Sequence, residues 1–261
     1  MKYLFFGGKD SEFAEIIVNG LKEAGYPPLA EFRNAKAPLD PAVLASYGAD
    51  FFLVASFAKI LKQEIIAIPP KCTVGIHPSL LPLYRGASPI QSAILNGEKE
   101  TGTALFVIDE KVDHGPVIVV EKMAIGDEDT YPVLLRKLAR ASVHAALEAL
   151  PRWVAGTLEA KEQDHAGATF TKKFVSGDAE VDLYGADPLV TWRKIKALNP
   201  EPGTFAMLDL SNGKKMRLKL LEAHFSGRTL HLTKVQPEGK RAMSYAEFLN
   251  GYGARLSTPL P

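Results

Sequence analysis

The 261-residue chain holds one cysteine and two tryptophans, and its formal net charge is only +1. A single cysteine excludes an intramolecular disulfide and fits a reducing compartment. Cys72 heads an apolar run, where it reads as a small buried hydrophobe rather than a reactive thiol. No segment approaches the roughly 18 apolar residues of a membrane span, and the apolar run at the amino terminus is too short for a secretory signal. A cytoplasmic protein without a membrane partner is therefore expected. With charge near zero, no overall field draws the chain to a polyanion. The Gly7-Gly8 turn lacks the G-x-G-x-x-G spacing, so it reads as a structural turn and not as a dinucleotide site. Nothing in the pattern calls for a metal or a stable protein partner.

What is present is an alternation of short apolar runs with helix-length segments. Residues 2–6 read as a first strand, followed by a helix capped by Asp10 or Ser11 and ended at Gly25. Residues 29–33 suit a second strand, and 34–49 leave room for one helix, over 41–47. The unbroken apolar run 50–55 suits a strand buried on both faces. A helix closes between Ile65 and Pro70, and 117–123 reads as a further strand. Residues 130–150 form a long helix with an apolar face of Leu134, Leu135, Leu138, Val143, Ala146 and Leu147. His144 falls on that helix, packed or solvated. Pro151 is expected to begin a new turn that Gly156 ends. This alternation predicts an α/β architecture, a Rossmann-like open sheet that is mainly parallel.

The composition shifts at Asp164. Residues 164–173 read as an extended polar linker, followed by a helix over 188–198. Short β-rich runs come next, near 204–208, 216–223, 229–233 and 234–236. Asn212-Gly213 and Ser226-Gly227 supply hairpin-type turns, and a short helix covers 244–250. Short strands divided by turns predict a small OB-like barrel. The expected domains are thus 1–163, a linker over 164–180, and 181–261. From residue 164 onward there are 14 Lys and Arg against 10 Asp and Glu, a net of +4; the earlier part has 17 against 20, a net of −3. A basic β-rich domain beside a slightly acidic one is compatible with an RNA substrate.

The most informative stretch runs from Gly75 to Gly115. The apolar run 72–76 ends in His77-Pro78-Ser79, and a second, 104–108, leads through Asp109 to Asp113-His114-Gly115. Pro78 and Pro82 stiffen the loop between, and Arg85-Gly86 opens a helical segment. Two strands thereby deliver a histidine and an aspartate near their ends, which is where ligands bind in open α/β sheets.

The runs HPSLLPLYRG and PIQSAI, then TGTALFVIDEKVDHG, resemble the folate-dependent formyltransferase family. NPEPGTFA and VQPEGKRAMSYAEFLNG are similar to the C-terminal domain of methionyl-tRNA formyltransferases. The resemblance implies transfer of a formyl group from 10-formyltetrahydrofolate to an amine, without a metal. It implies a catalytic role for His77 and Asp113, with Gly75 standing where the family has Asn. It implies pterin contacts from Phe57, Ile60 and Leu61, from Ser79, Leu80, Leu81 and Pro82, and from Val107, Ile108, Asp109 and Val112. Arg85 would meet donor or acceptor anions, or else brace its loop. For initiator methionyl-tRNA as acceptor, Lys172, Lys173, Lys214, Lys215, Arg217 and Lys219 are the candidate contacts.

Formyl transfer needs a group that handles the amine's proton, a carboxylate that supports it and a donor that meets the oxyanion. His77 suits the first task and Asp113 the second. A glycine at 75 offers no amide, and loss of one oxyanion donor costs about 2.7–4 kcal/mol. Cationic His77, Ser79, a backbone N–H or water could replace it, and Asn restored at 75 is expected to raise turnover. The alternative readings are an N-formyltransferase for an amino-sugar nucleotide or other small amine, and a folate- or tRNA-binding relative with weakened turnover. The short 34–49 connection bears on the choice, since family members acting on tRNA usually carry a longer basic loop there.

Overall fold

Five consecutive buried residues, Tyr3–Gly7, form the strand β1, around which one sheet assembles in the computed structural model, which describes residues 1–258. β2 (Ala30–Phe32) and β3 (Phe51–Ala55) pair with it in parallel on either side. β4 (Thr73–His77) adds to β3 in parallel. β6 (Glu100–Val107) and β7 (Val117–Ala124) complete the sheet as antiparallel neighbours, giving the order β2-β1-β3-β4-β6-β7. Between β4 and β6 the chain makes the two-residue strand β5 (Arg85–Gly86) and the helix α4 (Pro89–Asn96). The expected mainly parallel Rossmann-like sheet is observed.

Local signals account for most helix ends. α1 (Glu12–Glu23) starts at Ser11, whose hydroxyl accepts the Ala14 N–H at 3.2 Å, and stops before Gly25 at φ +87°. Glu12 and Glu15 fill its first turn, which suits the helix dipole and disfavours an anion there. The Gly8 N–H bonds to the Ser56 carbonyl at 3.0 Å, so the glycine turn is spent on tying β1 to the end of β3. α2 (Pro41–Ser46) and α3 (Gln63–Ile66) are short. α5 (Tyr131–Val154) buries Leu134, Leu135, Leu138, Ala145, Ala146 and Leu150 on one face and leaves His144 exposed, bonded to Glu121 at 3.0 Å.

Two expectations need correction. Pro151 does not restart the chain; it lies inside α5, which continues to Val154. A proline inside a helix gives up its N–H bond and crowds the carbonyl four residues back, but its own carbonyl still accepts, here from the Ala155 N–H at 3.1 Å. Residues 229–237 form one strand, β11 (Thr229–Pro237), not two: the register slips by one residue on each strand, at Leu221 and at Thr233, and the pairing then continues.

The chain divides into two compact units. Unit 1 holds Met1–Ile90, Lys99–Ile125 and Pro132–Thr171; unit 2 holds Gln91–Glu98, Gly126–Tyr131 and the chain from Lys172 onward. The segment read as linker is structured at its start: Asp164 caps a single turn at His165–Gly167, and β8 (Phe170–Thr171) pairs in parallel with β5. In unit 2, β9 (Phe205–Asp209), β10 (Lys215–Ser226), β11 and β12 (Met243–Ser244) form an antiparallel sheet in the order β12-β11-β10-β9. These four strands are the small β-rich part expected after residue 181. α6 (Pro188–Leu198) and α7 (Tyr245–Tyr252) belong to the same unit, and Ile195, Leu208, Leu218, Leu220, Val235 and Phe248 meet in its core. Among the described residues, no helix is long and apolar enough to cross a membrane.

Phe248 is fully buried in that core. Phe248→Ala is expected to lower stability by about 3–5 kcal/mol, read from a urea titration, and a loss below about 1 kcal/mol would contradict this packing.

Candidate active site

β4 is buried along its whole length between β3 and β6 and carries His77 at its end. The loop beyond passes the cis Leu81–Pro82 bond and returns through Tyr84, held at φ +59°. That turn brings the Tyr84 carbonyl to 2.8 Å from His77 Nε2. A carbonyl can only accept, so Nε2 carries the hydrogen and Nδ1 is the nitrogen left to gain or lose one. Nδ1 lies 3.5 Å from Asp113 Oδ2, and the same oxygen accepts the Gly86 N–H at 2.7 Å. Asp113 itself sits at φ +48°, a left-handed conformation that Asp tolerates better than most residues. The imidazole is thus pinned to backbone at one nitrogen and faces a carboxylate with the other. Such a pair can take a proton at Nδ1 and stabilise the resulting cation.

A cavity of about 520 Å³ opens at these two side chains, within the range that holds a folate-sized heterocycle. Its walls are mostly apolar: Val54, Phe57, Phe106, Ile108 and Val112, with Ser56, His77 and Asp113 as polar side chains. Of the expected pterin-contacting residues, Phe57, Ile108 and Val112 line it. Ile60 does not, and it is 80% exposed. Leu61 packs into the core with Leu4, Phe52 and Ile65, and Leu81 packs against Ala104 and Phe106. Leu80, Pro82 and Val107 also lie off the wall. The Ser79 hydroxyl donates to the Leu83 carbonyl at 2.6 Å, so its proton serves the loop and not the cavity. Asp109 is held by its own loop, with Oδ2 2.7 Å from His114 Nδ1.

Arg85 is also turned away. It is buried, and its guanidinium donates to Gln163 Oε1 at 3.2 and 2.6 Å and to His165 Nδ1 at 3.0 Å. Of the two expectations for Arg85, the geometry matches the brace. Gln163 and His165 carry no local sequence signal, because they lie 78 and 80 residues from the side chain they hold.

In unit 2 the candidate cations separate. Lys215 and Lys219 are exposed on β10 with Arg217 half-buried between them, its Nη2 donating to the Ser176 hydroxyl at 3.1 Å, and Met216 and Leu218 are buried on the other face. Arg217 stacks on Phe205 at 3.5 Å, and Lys215 pairs loosely with Asp209 at 3.6 Å. Lys172 is engaged by Asp178, whose carboxyl it helps hold below the usual carboxylate range. Lys173 and Lys214 are exposed. Cys72 is not reactive by this geometry, since burial pushes its thiol up to about 11. Among the described residues, no group of three or more His, Cys, Asp or Glu could hold a metal ion.

Residues 5–150 match the Formyl transferase family. The chain belongs to that family. It is 37% identical over 226 residues to the methionyl-tRNA formyltransferase of Carboxydothermus hydrogenoformans, an alignment that covers 78% of this chain and 72% of the relative. In fold it resembles the methionyl-tRNA formyltransferase of Clostridium thermocellum, with TM-score 0.69, 19% identity and coverage of 91% and 99% of the two chains. It resembles as well HypX from Aquifex aeolicus in complex with tetrahydrofolic acid, with TM-score 0.73 and 18% identity. That match covers 97% of this chain and 47% of HypX, so the chain spans about half of HypX's length. As a formyltransferase the chain is an enzyme that uses 10-formyltetrahydrofolate as its formyl donor.

The structure accounts for a glycine at position 75. Gly75 faces Phe106 across the antiparallel pair β4–β6. A Cβ built on Gly75 would stand 2.5 Å from Phe106 Cε1, 2.6 Å from Cζ and 3.1 Å from Ile108 Cγ1. The phenyl ring fills the space that a side chain at 75 would need. This reverses the expectation for an asparagine there. Gly75→Asn alone is expected to cost about 1–3 kcal/mol by overpacking and to lower turnover, measured by thermal melting and formylation rate. Pairing it with Phe106→Ala should recover the stability, and a stable single variant would contradict this packing.

Proposed function

We propose that this formyltransferase passes the formyl group of 10-formyltetrahydrofolate to the amino group of methionyl-initiator-tRNA, in the cytoplasm. The observation that carries the transfer chemistry is the His77–Asp113 pair on the cavity wall, with Nδ1 facing the carboxylate at 3.5 Å. Phe57, Ile108 and Val112 offer the apolar faces that a pterin ring needs. His77 Nδ1 takes the proton of the attacking amine and returns it to the departing donor nitrogen. Asp113 supports the imidazolium that forms between these steps. Ser79 is occupied by Leu83 and position 75 has no side chain. Of the replacement donors considered, cationic His77, a backbone N–H or water then meets the oxyanion.

Two observations support tRNA as the acceptor. One is the 37% identity to a methionyl-tRNA formyltransferase. The other is the row Lys215, Arg217 and Lys219 on β10. Alternate residues of a strand stand about 6.8 Å apart, and three cations so spaced can follow successive phosphates of a nucleic-acid strand. One observation favours the second reading, a small amine such as an amino-sugar nucleotide. β2 ends at Phe32 and α2 begins at Pro41, which leaves no room for a long basic loop.

The deciding assay offers charged initiator tRNA and an amino-sugar nucleotide, each with the folate donor. Formylated methionyl-tRNA is expected, whereas turnover of the sugar alone would refute the tRNA reading. His77→Ala and Asp113→Ala should each lower kcat by about 10²- to 10⁴-fold, and unaltered rates in both would remove the pair from the mechanism. Replacing Lys215 and Lys219 with Ala should raise KM for tRNA, weaken its dependence on salt and leave the folate KM in place. An unchanged salt dependence would exclude the stripe.

A further inference from the structure

Asp113 reaches His77 from a loop, in a left-handed backbone conformation whose placement needs a constraint from its surroundings. Four hydrogen bonds of one buried side chain supply that constraint. Gln163 Nε2 donates to the Asp113 carbonyl at 3.0 Å and to the Gly115 carbonyl at 2.7 Å. Its Oε1 accepts both contacts from Arg85. The amide is 7% exposed and fully used. It joins the two loops that carry the reacting pair: Arg85 lies beside Tyr84, whose carbonyl holds His77 Nε2, and the two accepting carbonyls bracket the turn after Asp113. The His165 ring stacks on His114 at 3.9 Å and accepts from Arg85, which steadies the same loop from its far side.

We infer that Gln163 is the positioning residue of this site, setting the register between His77 and Asp113 through Arg85 on one loop and two backbone carbonyls on the other. The inference rests on the proposed roles of those two residues. Gln163 does not line the cavity, so it acts on the chemistry without touching substrate. The amide is the group this place requires. A carboxylate would keep the contacts to Arg85 and set an oxygen against two carbonyl oxygens. A leucine would remove all four contacts, leaving Arg85 its bond to His165.

The test uses Gln163→Glu, which spares the Arg85 side, and Gln163→Leu, which removes both. Formylation kinetics with the acceptor that wild type turns over are compared with tetrahydrofolate binding by calorimetry and with thermal midpoints. Misplacement of a reacting group by about 1 Å can cost on the order of 100-fold. Gln163→Glu is accordingly expected to lower kcat about tenfold to a hundredfold, with the tetrahydrofolate Kd and the acceptor KM unchanged. In an Asp113→Ala background the same substitution should cost almost nothing further, since its effect passes through Asp113. An unchanged kcat, an equal loss in the Asp113→Ala background, or parallel losses of kcat, folate binding and thermal midpoint would each overturn the inference. If Gln163→Leu does not fold, Gln163→Glu still decides. Wild type inactive on every acceptor would instead sink the proposed function, which keeps the two failures apart.

Discussion

The antiparallel register between β4 and β6 is the constraint from which the rest of the site follows. It sets Gly75 opposite Phe106 and His77 opposite Ala104. Residues two apart on a strand share a face, so Gly75, His77, Ala104 and Phe106 all look the same way. A small residue opposite His77 leaves the imidazole free to turn toward the loops, and a large one opposite Gly75 closes the floor beside it. A shift of one residue would send His77 into the other face of the sheet and bury it away from Asp113. Continuous burial of β4 on both sides makes such a slip costly. The histidine is held by backbone hydrogen bonding along β4 and by the Tyr84 carbonyl, both insensitive to what occupies the cavity.

Strand ends are well suited to presenting a side chain, and poorly suited to bringing a second one to it at a set distance. Here the aspartate comes from the loop after β6, six residues beyond the last paired one. Its location has to be imposed from outside. The Gly86 N–H fixes the carboxylate and Gln163 fixes the backbone, so the two halves of the residue are restrained by different parts of the chain. The crevice between β1 and β3, where an open sheet of this order would take a ligand, is tied across by the Gly8–Ser56 bond. The cavity lies instead at β3, β4 and β6. A glycine turn after the first strand therefore does a different job from the one its position suggests.

Much of this was legible in the sequence, for reasons that can be named. α1 was readable because Ser11 and Gly25 mark its ends chemically, and α6 because Asp187 and Pro188 mark its start. The unbroken apolar runs gave β1, β3 and β4, since a strand covered on both faces has no polar alternation. His77 and Asp113 stood out through the motif around them. Pairings made across long chain distances were hidden. β8 is two residues long, exists only through its partner β5, and starts from a segment whose polarity reads as linker. Leu61 and Leu81 were candidates for a ligand wall only through the resemblance of their segments, and both pack into apolar clusters. The direction of a side chain at a strand end depends on loop geometry that no periodicity encodes.

Gly75 shows the limit most clearly. Read along the chain, it is the absence of an amide, and restoring the amide looks like a gain. Read across the sheet, it is half of a pair whose other half is Phe106. A glycine in an antiparallel strand exposes backbone and leaves a gap, and an aromatic ring on the facing strand covers both. The two residues are 31 positions apart, and either one alone would be destabilising: a side chain at 75 against this ring, or a small residue at 106 beside this glycine. Under the proposed mechanism, oxyanion stabilisation comes from groups that this pair leaves in place, beside an apolar face. An apolar floor beside His77 lessens the screening of its electrostatic contacts and also takes solvation from a charged imidazole, so a nearby carboxylate matters. In that mechanism the imidazolium is then left to Asp113, which is why the placement of that carboxylate against Nδ1 carries more weight here than the motif alone would suggest.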